Sequence, residues 1–439
     1  MSIFKAYDIR GKYPSEINEE ISGKIAKAFC QFLKPKTIVI GRDMRLSSES
    51  IKDELISSLI SQGIKVINIG LVSTPMFYFA VNHFKADAGL MITASHNPKD
   101  YNGLKLVKEQ AKPIHYDNGI NEIEGLVQKN EFIESKLKGI EIKTDIEKDY
   151  LDYIKNLAPK KIKSFKIVAD YGNGMNAVTT KKLLQSMNIE LINMYDLIDG
   201  TFPNHEANPL KEETLVDLQK RVIAEKADLG LAFDGDGDRM VIIDEAGGII
   251  SGDMTTALIS KEILNHSKEK ILFDLRSSKA VTELIAKNGG TPLLTRVGHS
   301  FIKERMRNEN ICFAGELSGH FFFRENFFTD SADLAMLKVL SLLSKQEKNI
   351  SELIKEIKKY YHSGEINKEV QNKDEIFERL KEKYGNLNFL TIDGLTFQDK
   401  DYWFNVRASN TEPLIRLTVE ADTKEKMETK VKEVLSLIY

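Results

Sequence analysis

Short apolar runs alternate, along most of the chain, with stretches in which apolar residues recur at every third or fourth position. The runs TIVIGRD (37–43), KIVADYG (166–172) and KILFDLR (270–276) each read as a buried strand ending in polar residues. A helical pattern follows each one: Ile51, Leu55 and Leu59 with Ile60; Val178, Leu183 with Leu184 and Met187; Val281, Leu284 with Ile285. After each helix comes a second apolar run, KVINIG (65–70), IELINMY (189–195) and TPLLTRVG (291–298). Strand, helix and strand in that order predict three β-α-β units, whose crossovers make the strands largely parallel.

A further echo joins the copies. KADAGLMIT (85–93) and KADLGLAFD (226–234) share Lys, Ala, Asp, Gly and Leu at matched positions, and NICFAGE (310–316) is a weaker third copy. Each leads through a polar loop into another apolar run: GLKLV (103–107), MVIID (240–244) and HFFFR (320–324). Each repeat therefore offers one strand-loop-strand element, with loops TASHNPKDYN, DGDGDR and GELSGH. Residues 366–439 break the pattern. They predict a helix over 373–383, strands over 387–392, 402–406 and 414–420, and a final amphipathic helix with Met427, Val431, Val434, Leu435 and Ile438 on one face. The expected architecture is α/β: three related mixed α/β domains with crossover helices (1–145, 146–247, 248–365), then a C-terminal α+β domain (366–439), with the active site in the central cleft.

Composition narrows the function classes. With 42% hydrophobic and 29% charged residues in 439, the chain is built to form a core. Lys and Arg number 62 against 65 Asp and Glu, so no whole-molecule field draws it to nucleic acid or to an anionic membrane. The lysines at 160, 161, 163 and 166 precede an apolar run and read as a solvated edge. Cys30 and Cys312 form no CxxC pair, which argues for a reducing compartment and against disulfides or structural zinc. The N-terminus MSIFKAYDIRG lacks an apolar signal region, and polar residues interrupt the stretch from Val66 to Phe84. A soluble, cytoplasmic protein is expected, as a monomer or small homo-oligomer.

Candidate chemistry lies in the loops. In DGDGDR, Asp234, Asp236 and Asp238 alternate with Gly235 and Gly237, so three carboxylates can turn toward one point and take a hard cation such as magnesium. A metal-free acidic turn is an alternative. So is a calcium EF-hand loop, with Glu245 at its twelfth position, although Arg239 stands where that loop needs Gly and both flanks are strand-like. Ser95 beside His96 is a weak nucleophile signal alone, but a serine facing a divalent cation can transfer a phosphoryl group. Glu316, Ser318 and His320 of GELSGH suit sugar hydroxyls, or simply a polar hairpin. Arg407 with Ser409, Asn410 and Thr411 in RASNTEP suits a phosphate dianion. DYGNGM (170–175) lacks the third glycine of a dinucleotide fingerprint and reads as a turn.

Taken together, the motifs YDIRG (7–11), GRDMRLSS (41–48), TASHNP (93–98), YNGLK (101–105), FPNHEANP (202–209), DGDGDR (234–239), GHSFIK (298–303), GELSGH (315–320) and RASNTEP (407–413) resemble the α-D-phosphohexomutase superfamily, of the phosphomannomutase/phosphoglucomutase type. The resemblance spans essentially the whole chain. It implies that Ser95 is a phosphoserine, with Mg²⁺ held by its phosphate and by Asp234, Asp236 and Asp238. Lys105 and His320 become the acid/base pair, and Arg239, with His96 beside the serine, completes the catalytic set. The substrate-binding set it implies is Tyr7, Arg10, His299, Glu316, Ser318, Arg407, Ser409, Asn410 and Thr411, together with Arg276, which stands where some members have Lys. The implied reaction interconverts hexose 1-phosphate and hexose 6-phosphate through a 1,6-bisphosphate, which also serves as activator. GELSGH resembles the GEMSGH form of phosphomannomutase/phosphoglucomutase enzymes, whereas phosphoglucosamine mutases resemble GEQSGH with Gly in place of Asn410. Phosphoglucosamine mutase is thus the alternative expectation, ahead of a magnesium-dependent sugar phosphatase or a calcium-binding module.

Overall fold

A computed structural model describes residues 2–370, 372–408 and 414–438. Ser409, Asn410 and Thr411 lie outside the described residues.

The three apolar runs that open the repeats are the central strands of three sheets, Thr37–Arg42, Phe165–Asp170 and Lys270–Asp274. On one side each pairs in parallel with the strand that follows its crossover helix: Lys65–Leu71, Ile189–Met194 or Thr291–Thr295. On the other side each pairs in parallel with a third strand: Ala88–Ile92, Leu229–Phe233 or Phe313–Gly315. That strand turns back through its polar loop into an antiparallel partner, Tyr101–Lys108, Met240–Asp244 or Phe321–Phe323. Identical order in all three sheets places the three loops at equivalent sheet ends, where the carboxyl ends of parallel strands carry ligand sites in open α/β folds.

Some elements differ from the sequence expectation. Ile9–Lys12 and Ile140–Lys143 extend the first sheet on its two sides. The helix of the second repeat is one short piece, Thr180–Gln185, preceded by a tight turn at Met175–Ala177. The fourth sheet is antiparallel and has five strands; Tyr361–Glu369 and Leu395–Gln398 join the expected three. Position 365 lies inside Tyr361–Glu369, which pairs along its length with Leu414–Ala421, so the expected division there falls within a strand of the fourth sheet.

Helix Thr74–His83 binds the first three domains into one body. Ser73 caps it by accepting the Met76 N–H, and Pro75 presets its first turn. Every residue from Thr74 to Val81 is buried, as in a helix apolar all round. Its Phe77, Phe79 and Val81 share one apolar core with Ile167 and Leu231 of the second domain and with Leu334 and Leu337 of the third. Burial of a side chain such as Phe77 contributes about 1.5–3 kcal/mol. A Cβ on Gly89 would lie 2.7 Å from Phe77, so this helix needs glycine on the strand beneath it. The fourth domain keeps a separate core around Phe397, Phe404 and Leu417. Among the described residues, no helix is long and apolar enough to cross a membrane.

Candidate active site

Ser95 follows strand Ala88–Ile92 and takes φ of 50°, a left-handed conformation that an L residue adopts only under constraint. Two groups supply the constraint. Thr93 Oγ1 accepts the Ser95 N–H at 2.8 Å. Arg45, fully buried, donates to the carbonyls of Ser95, Asn97, Pro98 and Tyr101 at 2.6–2.9 Å, while its Nε meets Asp43 at 3.2 Å. A planar fork with five donors can satisfy this ring of carbonyls; an ammonium cannot. Arg10 adds donors to Asn97 Oδ1 (2.7 Å) and to the Ala94 carbonyl (3.3 Å), and pairs with Asp8.

The DGDGDR loop joins Leu229–Phe233 to Met240–Asp244 as a hairpin, and Glu245 turns away to bond Ser351. Strand flanks and an occupied Glu245 exclude the EF-hand alternative. Asp234 Oδ1 accepts the N–H groups of Gly237, Asp238 and Arg239, each at 3.1 Å, which fixes the carboxylate and turns Oδ2 toward Ser95 Oγ at 2.8 Å. Gly237 at φ +80° makes that nest possible, and a Cβ there would sit 2.5 Å from Asn176. Asp236 accepts from Thr74 Oγ1 at 2.6 Å and from Lys105 Nζ at 2.7 Å; Lys105 also pairs with Asp238.

All three aspartates are buried, and their ligand atoms lie within 4.8 Å of one another. Burial and the two neighbouring carboxylates push Asp234 well above the usual carboxylate range. Burial works the same way on Asp238, but Lys105 and His320 outweigh it and hold that group well below. Asp236 Oδ1 and Asp238 Oδ1 are buried with no hydrogen-bond partner among the described residues, the latter meeting His320 only as an ion pair. Three hard oxygen donors, two carboxylate oxygens without a hydrogen bond and excess negative charge fit a divalent cation of the magnesium or calcium class.

The GELSGH loop closes over this centre from the third domain. His320 Nδ1 lies 3.2 Å from both Glu316 Oε2 and Ser318 Oγ, and Nε2 lies 3.3 Å from Asp238 Oδ1. Burial and Arg239 push the imidazole pKa down, yet the Asp238 and Glu316 carboxylates outweigh them and hold it at about 9. With both nitrogens protonated the ring has no lone pair for Arg239 Nε, 3.2 Å away, which is then a close approach without a hydrogen bond. His299 opens helix His299–Glu309, with its ring 5.9 Å from His320 and 5.7 Å from Tyr7, whose hydroxyl donates to the Val297 carbonyl. Burial, Lys303 and Lys105 keep His299 neutral; burial and Arg239 do the same for His96, 3.3 Å from Ser95 Oγ.

Direct contacts therefore link Ser95, His96, Lys105, the three aspartates, Arg239, Glu316, Ser318 and His320, with Arg10 on the serine loop and Tyr7 against His299. Arg276 and Arg407 form a second group. Arg276 grips Asp274 with Nε and NH2 (3.0 and 2.8 Å), and both arginines meet Glu365. Sequence reasoning assigned no role to Arg45, Thr74 or Glu365, nor to the buried pair Lys303–Asp330 (3.1 Å), whose lysine donates to Tyr78 at 2.9 Å. Lys303 and Arg45 lie in quoted motifs, but residue type alone does not reveal a buried cation.

Profiles for the four domains of one family match successive segments: the phosphoglucomutase/phosphomannomutase alpha/beta/alpha domains I, II and III over residues 1–134, 148–248 and 251–361, and its C-terminal domain over 365–437. The chain belongs to the phosphoglucomutase/phosphomannomutase family. Curated relatives include the phosphomannomutase of Methanocaldococcus jannaschii, 39% identical over all of this chain and 98% of its own, and that of Vibrio cholerae, 40% identical over the same shares. Among solved structures, a phosphoglucomutase/phosphomannomutase family protein from Burkholderia thailandensis superposes with a TM-score of 0.92 at 28% identity, covering 99% of this chain and 96% of that one.

Proposed function

We propose that the protein interconverts hexose 1-phosphate and hexose 6-phosphate, acting on mannose phosphates and also on glucose phosphates, with Ser95 as phosphoryl carrier. The observation that carries this reading is the contact of Ser95 Oγ with Asp234 Oδ2 at 2.8 Å, inside a buried triad of aspartates and beside the His320 loop. The phosphomannomutase name shared by full-length relatives supports mannose. Glucose follows from Glu316 and Ser318 as readers of the 3- and 4-hydroxyls, which the two sugars share.

Asp234, Asp236, Asp238 and the Ser95 phosphoryl group would hold Mg²⁺. When bound, Mg²⁺ neutralises charge on the phosphoryl oxygens. In the first transfer the bond from Ser95 Oγ to phosphorus breaks and a bond from the sugar hydroxyl to phosphorus forms. The serine oxygen must gain a proton and the sugar hydroxyl must lose one; the Lys105 ammonium or the His320 imidazolium, both against Asp238, can give the serine oxygen its proton and then recover one from the sugar hydroxyl. The hexose 1,6-bisphosphate then presents its other end, and Arg407, with Ser409, Asn410 and Thr411, holds whichever phosphate is not reacting. The same bisphosphate, added in trace, primes the serine. Ser95 is only 1% exposed, which favours transfer to a bound sugar over hydrolysis. Two unpaired cysteines favour a reducing, cytoplasmic setting.

The test compares kcat/KM for mannose 1-phosphate, glucose 1-phosphate and glucosamine 1-phosphate. Mannose and glucose phosphates should isomerise without release of inorganic phosphate. A preference for glucosamine 1-phosphate would replace this assignment with a phosphoglucosamine mutase, and steady phosphate release with a phosphatase.

A further inference from the structure

The first strand of the fourth domain carries a carboxylate into a group of guanidinium ions. Strand Tyr361–Glu369 slips in register against Leu414–Ala421 between His362 and Glu365, and Gly364 takes φ +69° within that slip. Irregularities of this kind re-aim side chains next to functional sites. Local bonds hold it in place. Ser363 Oγ accepts the Val419 N–H at 2.9 Å, and His362 Nδ1 accepts the Gly364 N–H at 3.0 Å. The His362 proton is therefore on Nε2, which donates to the Arg276 carbonyl at 2.8 Å.

Glu365 Oε2 accepts from Arg407 NH2 at 2.5 Å and from Arg276 NH1 at 3.2 Å; Oε1 accepts from Arg416 NH1 at 3.2 Å. Burial alone would raise this carboxyl, but Arg276, Arg407 and Arg416 outweigh it and hold it at about 2. The chain of contacts continues into the third domain. Asp274 takes the other edge of Arg276 and also accepts the N–H of Leu317, inside GELSGH, at 2.8 Å. Arg407 is 3% exposed, and its Nε has no hydrogen-bond partner among the described residues.

We propose that Glu365 is a positioning residue for the phosphate site: it fixes Arg407 through NH2, leaves the Nε–H to a phosphate oxygen, and ties that arginine through Arg276 and Asp274 to the sugar-reading loop. The phosphate clamp of the fourth domain and the sugar loop of the third are then one mechanical unit. This inference rests on the mutase reading and names the residue that orders its phosphate subsite. A bidentate Arg–oxyanion contact is strongest when the fork is held in advance, since freezing a long side chain at the moment of binding costs affinity.

The test uses the full chain with Glu365→Gln and Glu365→Asp, and inorganic phosphate as probe in titration calorimetry. Glu365→Gln should weaken phosphate binding about fivefold, the scale set by ordering one long side chain. KM for mannose 1-phosphate should rise in parallel with kcat changed less, and Glu365→Asp should recover part of the loss. A double-mutant cycle of thermal unfolding with Arg276→Lys should be non-additive. Unchanged or tighter phosphate binding in Glu365→Gln would overturn the proposal and make Glu365 a mere competitor; additive unfolding would remove the link to the third domain. Calorimetry and unfolding need no turnover, so an inactive wild type would count against the mutase reading and leave this test standing.

Discussion

Ser95 Oγ and Asp234 Oδ2 meet at 2.8 Å across the boundary between the first and second domains. The contact exists because three backbone N–H groups fix the other oxygen of Asp234. Asp234→Asn would keep the shape and remove the anionic oxygen that the side chain can offer a metal. Its kcat should fall roughly 10²- to 10³-fold, the scale for losing one preorganised electrostatic group, and the Mg²⁺ concentration for half activity should rise. Chelation of the wild type should abolish turnover, with recovery on added Mg²⁺. Undiminished activity in excess chelator would remove the metal from the account.

Arg45 contributes through backbone carbonyls. Arg45→Ala removes a donor from each of those four carbonyls and the counter-ion of the buried Asp43, and should cost about 3–5 kcal/mol in urea unfolding, as for a broken buried ion pair. Arg45→Lys should recover little, because an ammonium cannot span four carbonyls. A loss below about 1 kcal/mol would place the pair among ordinary surface contacts.

His320 lies between Asp238 and Glu316. His320→Asn should lower kcat about 10²- to 10⁴-fold, the range for a lost general acid or base, with a smaller change in KM. A change confined to KM would make it a sugar contact only.

Glu365 has a pH signature. Its folded-state pKa, about 2, lies below the ordinary 4.5. Its contribution to stability is fully present above pH 4.5 and is lost as pH falls from there through about 2. The stability gap between wild type and Glu365→Gln, measured by thermal unfolding, should therefore be constant at neutral pH and shrink over that interval. A constant gap down to pH 2 would show that the three arginines do not hold the carboxylate.

The strand-loop-strand echo was readable from sequence because KADAGLMIT and KADLGLAFD form strands buried along their whole length, and such strands are continuous apolar runs. Strand Tyr361–Glu369 was not, because its HSGEINKE residues are only partly buried and show no apolar run. The aspartates were readable because Gly spacing leaves few other uses for three carboxylates. Glu365 was opaque: its meaning depends on arginines at 276, 407 and 416, and the fold alone brings them together.

Ser95 is the proposed carrier of the phosphoryl group. Mass spectrometry of the enzyme after incubation with a hexose 1,6-bisphosphate tests it directly. One added phosphoryl group is expected, located on Ser95 and absent from an inactive Ser95→Ala variant. A fully active enzyme whose Ser95 stays unmodified, or a phosphoryl group found on another residue, would contradict it.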